Sequence, residues 1–553
     1  MTNFQIADIF SLLAKLMEIH GENSFKTKSY SNTAFNLEKI TTPVSEMELS
    51  QLASIKGVGD SAAKKITEIL LSGRLKMLDE LVEKTPTGVV EMMNIKGLGT
   101  KKINTIWKEM EVESIGELLY ACNENRLTLY KGFGAKTQQN IKDTIEFYLR
   151  NQGSFLYAQT ELAEKQIKEQ LEKIIAPAKI YTAGAAAMHH DIINELEFVS
   201  DVQPEKLSAE LTGNGIHFAT PEPGIISFKP EAGINIKINC VPPTTLLQTV
   251  FEKNASPEFL DVFTKKYILA DINKFETDEA YFSSLSLPYL PPYIRHHADV
   301  LSLAEANQLP ELIQVSDIRG IIHCHSNWSD GGFSLEQMAA AAIKNGFEYM
   351  AISDHSKTAF YANGLSEERI KAQHQQIDEL NAQLAPFKIF KSIESDILND
   401  GNLDYSDNIL STFDLVIASV HSNLKMTEEK AMQRLIKAIE NPYTTILGHM
   451  TGRLLLSRNG YPVNHEKIID ACIANNVVLE LNAHPSRLDM DWKWIRYAVE
   501  KGALISIDPD AHALDGFNDI RYGVIAAQKG LLTPAHNLSS FPLQAFENFI
   551  GKK

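Results

Sequence analysis

Residues 317–330 read Asp317-Ile-Arg-Gly-Ile-Ile-His323-Cys-His325-Ser-Asn-Trp-Ser-Asp330. Ile321 and Ile322 predict the end of a buried strand, and His323 and His325 follow with one residue between them. Because side chains alternate across a strand, we expect both imidazoles on one face, where they form a suitable metal-binding pair. Taken alone, such a pair is more often two exposed residues at a strand end, so a metal-binding interpretation needs support from the rest of the chain.

The C-terminal half repeats this pattern, because nearly every apolar run ends at a histidine or a carboxylate. These ends are Asp354-His355, Glu394 with Asp396, His421, His449, Glu480 with Asn482, and Asp508 with Asp510 and His512. Strands and helices alternate from residue 317, which predicts an α/β barrel whose strand ends meet at one mouth. Histidines and acids gathered there are typical metal ligands. Adjacent metal ions clamp phosphates and activate water, so the pattern predicts phosphoester hydrolysis.

Three Gly-x-Gly turns followed by lysines predict helix-hairpin-helix motifs in the N-terminal part. The candidate DNA-binding residues are Gly57, Gly59, Lys64, Gly97, Gly99, Lys101, Lys102, Gly132 and Gly134, with Lys26 and Lys28 in an earlier helix. Such turns expose backbone N–H groups at a helix N-terminus, which bind DNA phosphates without reading sequence. The third copy has the least regular flanks, and a solvated lysine face is the alternative for Lys26 and Lys28.

Composition sets broader limits. The 553 residues are 44% hydrophobic and 22% charged, as in globular proteins of several domains. The net charge of −17 does not favour a general polyanion binder, but a local lysine face can still bind DNA. The four cysteines form no Cys-x-x-Cys pair, which argues against a disulfide framework or a zinc ribbon. We see no membrane-spanning run or leader, so we expect a cytoplasmic protein.

The strand-end motifs resemble the PHP (polymerase and histidinol phosphatase) family. The resemblance rests on His323-x-His325, Ser329-Asp330-Gly331, Asp354-His355, Glu394, Ser419-x-His421, Gly448-His449-Met-Thr-Gly-Arg453 and Asp510-Ala-His512. It implies a distorted (β/α)7 barrel holding three divalent metal ions, manganese or zinc. By this resemblance, one ion would be held by His323, His325, Glu394 and Asp510, a second by Glu394, His421 and His449, and the third by Asp330, His355 and His512. Arg453 is a candidate for binding a phosphate, and a surface salt bridge is an equally good interpretation.

The order of the parts resembles bacterial family X DNA polymerases that carry a C-terminal PHP domain. This resemblance spans nearly the whole chain and includes the three hairpins and the Ser316–Gly320 junction. It implies five domains: a helical DNA-binding domain at 1–80, a fingers-like helix-hairpin-helix domain at 81–150, a nucleotidyltransferase palm (α+β) at 151–242, a thumb at 243–300 and the PHP domain at 317–553.

The predicted palm departs from the family pattern at its reaction site. Such a site needs three carboxylates that hold two metal ions, and a Gly-Ser with arginines that bind the triphosphate. Gly184 is present, but the serine and arginine positions hold Ala185, Ala187 and Met188. Glu195 and Glu197 replace the expected aspartates, and Lys237 occupies the position of the third acid. We therefore expect that the palm does not synthesise DNA. It would bind magnesium only if it were still active as a polymerase.

These patterns predict a metal-dependent 3′–5′ exonuclease of DNA repair that binds the backbone of gapped or 3′-ended DNA. The first alternative is an active polymerase with an associated exonuclease. The second is a small-molecule phosphatase of the histidinol-phosphatase kind, which would have no use for the N-terminal hairpins. The third is a non-catalytic DNA-binding scaffold, which the full ligand set disfavours. No protein partner is predicted.

Overall fold

A computed structural model describes residues 1–40, 42–123, 126–150, 153–230, 233–456 and 459–551. The chain divides into two compact units, residues 1–152 and 153–553. This division lies next to the predicted boundary at residue 150, and the finer division into five domains stays a prediction.

The first unit is helical in its described part. Its helices are α1 (Asn3–Ile19), α2 (Ser24–Glu38), α3 (Leu49–Ser54), α4 (Asp60–Ser72), α5 (Lys76–Glu83), α6 (Thr87–Met92), α7 (Thr100–Asn104), α8 (Ile115–Asn123) and α9 (Ala135–Arg150). Thr2 and Gln5 form a capping box at the start of α1, and Phe10 and Leu13 lie on its fully buried face. One hydrophobic core runs from Ile6 to Ile145, so the whole unit packs around a common interior.

The second unit begins with a mixed α/β region. Its elements are β1 (Phe155–Leu156), α10 (Tyr157–Ile175), β2 (Ile180–Ala183), α11 (Gly184–Ala187), β3 (Ile192–Ile193), β4 (Glu195–Ser200), α12 (Pro204–Gly213), β5 (Ile225–Phe228) and β6 (Asn235–Cys240). The main sheet has the order β2-β4-β6-β5, in which β4 and β6 run parallel and the other pairs are antiparallel. Glu197 on β4 is the register partner of Lys237 on β6.

Four helices follow the sheet and build a separate aromatic core. They are α13 (Leu246–Lys253), α14 (Pro257–Thr264), α15 (Asp278–Ser284) and α16 (Val300–Glu305). Phe251, Phe259, Phe263 and Phe282 are fully buried there. Arg295 is also fully buried, and its guanidinium carbon lies 4.4 Å from the Phe251 ring centroid.

The last part of the unit is a barrel of seven parallel strands in the order β13-β12-β11-β10-β9-β8-β7. The strands are β7 (Gly320–Cys324), β8 (Tyr349–Ile352), β9 (Lys388–Asp396), β10 (Leu415–Ser419), β11 (Thr444–Leu447), β12 (Val478–Asn482) and β13 (Ile505–Asp508). The helices are α17 (Leu335–Lys344), α18 (Glu367–Leu384), α19 (Asp407–Leu410), α20 (Glu428–Ile439), α21 (His465–Ala474), α22 (Ile495–Glu500), α23 (Ile520–Lys529) and α24 (Leu543–Ile550).

The barrel nearly closes between its first and last strands. In the described chain, the bridge Cys324–Ala511 joins β7 to the segment after β13, and the backbone N–H of His325 donates to Ala511 O at 2.8 Å. We call this junction the seam. The interior is filled by apolar side chains, including Tyr349, whose ring centroid lies 4.5 Å from that of Phe546 in α24.

The predicted fold class is confirmed. The chain has N-terminal helical domains, a mixed α/β region and a nearly closed seven-stranded parallel barrel. The four cysteines are all free thiols. None of the helices in the described ranges combines the length and apolar character that a bilayer crossing requires.

Candidate active sites

The nine predicted metal ligands all lie at the carboxyl ends of barrel strands. His323 is in β7, and His325 and Asp330 follow it; His355 follows β8, Glu394 is in the last three residues of β9, His421 follows β10, His449 follows β11, and Asp510 and His512 follow β13. Parallel strands present these ends at one mouth, so the fold brings together side chains that are far apart in sequence.

Glu394 lies at the centre of the cluster and is 1% exposed. Its Oε1 is 3.3 Å from His323 Nε2, 3.1 Å from His421 Nε2 and 3.0 Å from His449 Nε2. Its Oε2 is 2.9 Å from His355 Nδ1. A carboxylate that lies among several imidazoles is well placed to bridge two cations, which is the role predicted for Glu394.

Three groups of side chains in the described chain could each hold a metal ion. They are His325, Asp330, His355 and His512; His323, His325 and Asp510; and His355, Glu394 and His421. The predicted assignment differs from these groups in two ways. It gives His325 and His355 to one ion each, whereas each of them belongs to two of the groups, and it adds His449 to Glu394 and His421. The assignment of each ligand to an ion therefore stays a prediction.

Two further carboxylates orient the histidines. Glu480 is fully buried and bonds His323 Nδ1, and it also accepts from the His449 backbone N–H at 2.5 Å. Asp396 Oδ1 lies 2.5 Å from His421 Nδ1. In both imidazoles Nδ1 is engaged, so Nε2 faces Glu394, as expected of a ligand held by a partner carboxylate. Sequence reasoning found both acids at strand ends but gave them no role, because a ligand and its partner look alike in sequence.

The backbone at the cluster is strained. His323 has φ +61° and Asp510 has φ +51°, in the left-handed region that non-glycine residues seldom occupy. The β7–β8 register also shifts between Ile321 and Cys324. His323 and His325 nevertheless lie together as expected, because both Nε2 atoms approach Asp510 Oδ1, at 3.5 and 3.1 Å. An irregular strand end, and not regular alternation, brings them there.

The residues fit divalent cations. His323 Nε2 and His325 Nδ1 are buried and make no hydrogen bond to any described residue, although carboxylate oxygens lie within 4 Å. Burial lowers the pKa of His421, but Glu394 and Asp396 outweigh it and raise the pKa to about 9. The carboxylates thus favour positive charge here, from protons or from metal ions. Mixed imidazole and carboxylate ligands suit manganese and zinc.

Asp330 and His512 are 31% and 41% exposed, so the cluster opens to solvent on their side.

Arg453 forms salt bridges within the protein. Its Nη1 lies 2.8 Å from Asp491 Oδ2, and its Nε donates to Arg487 O at 2.9 Å. These contacts favour the salt-bridge interpretation over the phosphate interpretation. Arg487 is closer to the cluster, with Nε 3.5 Å from Asp510 Oδ2 and its side chain 20% exposed. No role was assigned to Arg487 from the sequence.

The predicted polymerase site is occupied by a network of charged side chains. Lys237 Nζ lies 3.4 Å from Glu195 Oε1 and 3.2 Å from Glu197 Oε1, and Lys253 Nζ lies 2.9 Å from Glu197 Oε1. Asn239 donates to the same Glu197 oxygen at 3.0 Å. Burial raises the pKa of Glu197, but the two lysines and Asn239 outweigh it, so the pKa lies below its usual value.

Gly184 matches the glycine expected at this position from the family pattern, and it begins α11 with φ +63°. Its N–H donates to Asn254 Oδ1 at 2.9 Å. The positive φ favours glycine here, and a Cβ at this position would lie 2.6 Å from Glu197 Oε2, so the Glu197 side chain would have to shift. Ala185 is half-buried and Met188 is buried, and neither can bind a triphosphate.

The three predicted hairpins have the expected backbone. Gly57, Gly97 and Gly132 have φ values of +81°, +89° and +93°. Gly59, Gly99 and Gly134 directly precede α4, α7 and α9. Lys26, Lys28, Lys64 and Lys101 are exposed, and Lys102 is half-buried, with Nζ donating to Gly97 O at 3.2 Å.

Comparison with known families and proteins agrees with this arrangement. Family models described as "Helix-hairpin-helix domain", "SAM-like Helix-hairpin-helix tandem" and "PHP domain" match residues 1–75, 89–146 and 322–484. The chain is 31% identical to the DNA polymerase/3′-5′ exonuclease PolX of Bacillus subtilis, over 99% of both chains. It belongs to the family X DNA polymerases.

Two other relatives cover parts of this family X chain. A "probable phosphatase" of Thermoanaerobacter sp. is 27% identical over 34% of the chain and 77% of its own length. DNA polymerase lambda of Rattus norvegicus is 30% identical over 26% of the chain and 24% of its own length. The predicted recognition is therefore confirmed, and so is the predicted enzyme class, a metal-dependent phosphoester hydrolase of the PHP type.

Proposed function

We propose that this family X protein is a metal-dependent 3′–5′ exonuclease of cytoplasmic DNA repair whose palm does not synthesise DNA. One contrast carries the proposal. At the barrel mouth Glu394 lies among the eight other predicted metal ligands. In the palm, lysine ammonium groups lie within 3.4 Å of both carboxylates. The Bacillus subtilis relative is named for both activities.

The barrel residues supply what phosphodiester hydrolysis needs. Three divalent cations, manganese or zinc, held by the nine ligands would polarise the phosphate and activate water. Glu480 and Asp396 hold the histidine rings so that Nε2 points inward. Arg487, beside Asp510, is placed to bind a phosphate oxygen of the DNA. The solvent-open side at Asp330 and His512 is the proposed entry for the 3′ end.

The palm contacts oppose nucleotidyl transfer by direct electrostatics. Two-metal catalysis needs acids that are free to coordinate magnesium, but Lys237 contacts both Glu195 and Glu197. A cation approaching these oxygens would meet the positive charge of Lys237 and Lys253. We propose that this network replaces bound magnesium as the source of charge balance in the palm.

The hairpins would hold the substrate. Exposed Lys26, Lys28, Lys64 and Lys101, with the helix N-termini at Gly59, Gly99 and Gly134, suit backbone contacts to gapped or 3′-ended DNA. Sequence-independent grip is what an exonuclease requires, because it must accept every base.

The test is a gel assay with 5′-labelled primed, gapped DNA and Mn²⁺, with and without dNTPs. Three proteins are compared: the wild type, a His323→Ala/His325→Ala variant and a Glu195→Ala/Glu197→Ala variant. We expect shortening of the primer that is independent of dNTPs, absent in the histidine variant and retained in the palm variant.

Other results would favour the alternatives. Template-directed lengthening that is lost in the palm variant would show an active polymerase and refute the proposed role of Lys237. Hydrolysis of histidinol phosphate without DNA cleavage would favour the small-molecule phosphatase. DNA binding with neither activity would favour the scaffold.

A further inference from the structure

A largely buried network of charged side chains joins the palm region to the barrel. Asp191, in the turn between α11 and β3, has its Oδ1 2.5 Å from Nζ of Lys529, the last residue of α23. The Lys529 side chain is 1% exposed, and its Nζ also donates to His189 O at 2.7 Å. A buried ammonium needs such partners, because an unpaired buried charge costs several kcal/mol.

The network continues from Asp191 into the loops of the metal cluster. Asp191 Oδ2 lies 3.7 Å from Arg453 Nη2, and Arg453 is on the loop that follows the ligand His449. Arg453 in turn donates to the backbone oxygens of Arg487 and Leu488. Arg487 carries the guanidinium that lies 3.5 Å from the ligand Asp510.

Arg453 is therefore held between two acids and two carbonyls. Asp491 contacts its Nη1 at 2.8 Å, while Asp191 approaches from the palm side. Five N–H donors in a fixed plane make arginine a rigid connector when its partners surround it. Removing Asp191 would take away the only acid that approaches Nη2 from the palm side in the described chain, and would leave Asp491 and the two carbonyls to hold the guanidinium.

We infer that Asp191 is a positioning residue for the barrel site: through Arg453 it fixes the backbone of Arg487 and hence the guanidinium beside Asp510. The inference rests on the proposed hydrolysis at the barrel mouth. It gives the palm a role in the nuclease that is independent of DNA synthesis, because the contact needs the Asp191 turn and none of the carboxylates on β4.

The test uses paired variants that avoid leaving Lys529 buried without a partner. Asp191→Ala/Lys529→Met removes the acceptor for Arg453, whereas Asp191→Asn/Lys529→Met keeps an amide oxygen there. Asp299→Asn is the control, since it alters another ion pair of the same unit, in which Asp299 Oδ2 lies 2.5 Å from Arg496 Nη2. Each protein is assayed with Mn²⁺ on bis(p-nitrophenyl) phosphate and on 5′-labelled DNA, and its melting temperature is measured.

We expect kcat on both substrates to fall about 10-fold in the Ala variant, because small displacements of a substrate-contacting group cost one to two orders of magnitude. The Asn variant should recover most of this loss at a similar melting temperature, and Asp299→Asn should match the wild type. In an Arg453→Gln background, the Ala and Asn pairs should no longer differ.

Hydrogen exchange of residues 484–491, measured by mass spectrometry, gives a readout that does not depend on activity. We expect faster exchange in the Ala variant than in the Asn variant. Equal exchange and equal kcat in the two variants would overturn the inference. If the wild type cleaves the small phosphodiester but not DNA, the proposed DNA substrate fails while the role of Asp191 is still measured. If the wild type cleaves neither substrate, the comparison of hydrogen exchange between the Ala and Asn variants tests the inference by itself.

Discussion

Glu480 and Asp396 determine which nitrogen of His323 and His421 faces Glu394. Each acid bonds Nδ1, which fixes the tautomer and the ring orientation before a cation binds. The strained φ angles of His323 and Asp510 show that the surrounding packing also fixes the backbone of these two predicted ligands. A ligand that is already fixed loses little conformational freedom when it coordinates a cation.

Asp396→Asn should therefore weaken metal binding without removing a ligand. An amide oxygen is a poorer acceptor for His421 Nδ1 than a carboxylate, so we expect the Mn²⁺ concentration for half-maximal hydrolysis to rise about 10- to 100-fold. Asp378→Asn, at an exposed acid paired with Lys391, is the control. An unchanged Mn²⁺ requirement would show that Asp396 does not support a ligand.

Lys237→Ala should lower the stability of the palm by an amount that depends on pH in a defined direction. The pKa of Glu197 in the folded protein lies below its usual 4.5, so its favourable contacts contribute stability above pH 4.5 and lose it as the pH falls through the folded pKa. The melting-temperature difference between wild type and variant should be largest near pH 7 and shrink below pH 4.5. A difference that is constant from pH 3 to 7 would contradict the ion network.

At the scale of elements, the hairpins combine a left-handed glycine with a helix N-terminus. The glycine turns the chain, and the next helix presents unpaired N–H groups beside exposed lysines. Gly57 has a further constraint, because a Cβ there would lie 2.3 Å from Asn36 Nδ2, whereas a Cβ at Gly97 would meet no atom within 4 Å.

Lys64→Ala/Lys101→Ala should weaken DNA binding mainly through electrostatics. If each lysine neutralises one phosphate, the slope of log K against log salt should decrease by about 2 in magnitude. Fluorescence anisotropy with gapped DNA between 50 and 200 mM salt measures this slope. Lys265→Ala, at an exposed lysine paired with Asp261, is the control, and an unchanged slope in the double variant would exclude phosphate contacts by these lysines.

The strands and their polar ends could be predicted because each is a local pattern, an apolar run followed by His, Asp or Glu. It could not be predicted that His355 contacts both Asp330 and Glu394, because these contacts depend on the register between neighbouring strands. The contact of Asp191 with Lys529 joins residues 338 positions apart, and no local pattern indicates it. The left-handed backbone at His323 was also missed, because its sequence reads as a regular strand.

At the scale of the whole molecule, the two compact units differ in what a metal ion can stabilise. All nine predicted ligands belong to residues 153–553, and the first unit contributes none of them. A ligand that binds the folded state stabilises the unit that holds it, by about 2.7 kcal/mol at a hundred-fold excess over Kd.

Calorimetry should therefore show an effect of metal on one unit. Excess Mn²⁺ should raise the melting temperature of the second unit by several degrees, and EDTA should reverse the change, while the first unit is unaffected. Glu394→Gln should abolish the shift. Stabilisation of residues 1–152 by Mn²⁺ would contradict this location of the metal site.

The seam between β7 and β13 has a consequence for how the protein matures. His323 and His325 lie on one side of it and Asp510 on the other, so this ligand group exists only after the last strand has docked beside the first. A chain still emerging from the ribosome or trapped half-folded would lack this ligand group. The proposed nuclease activity would therefore be complete only after the barrel has closed, so an incompletely folded copy would be less able to degrade the cell's DNA.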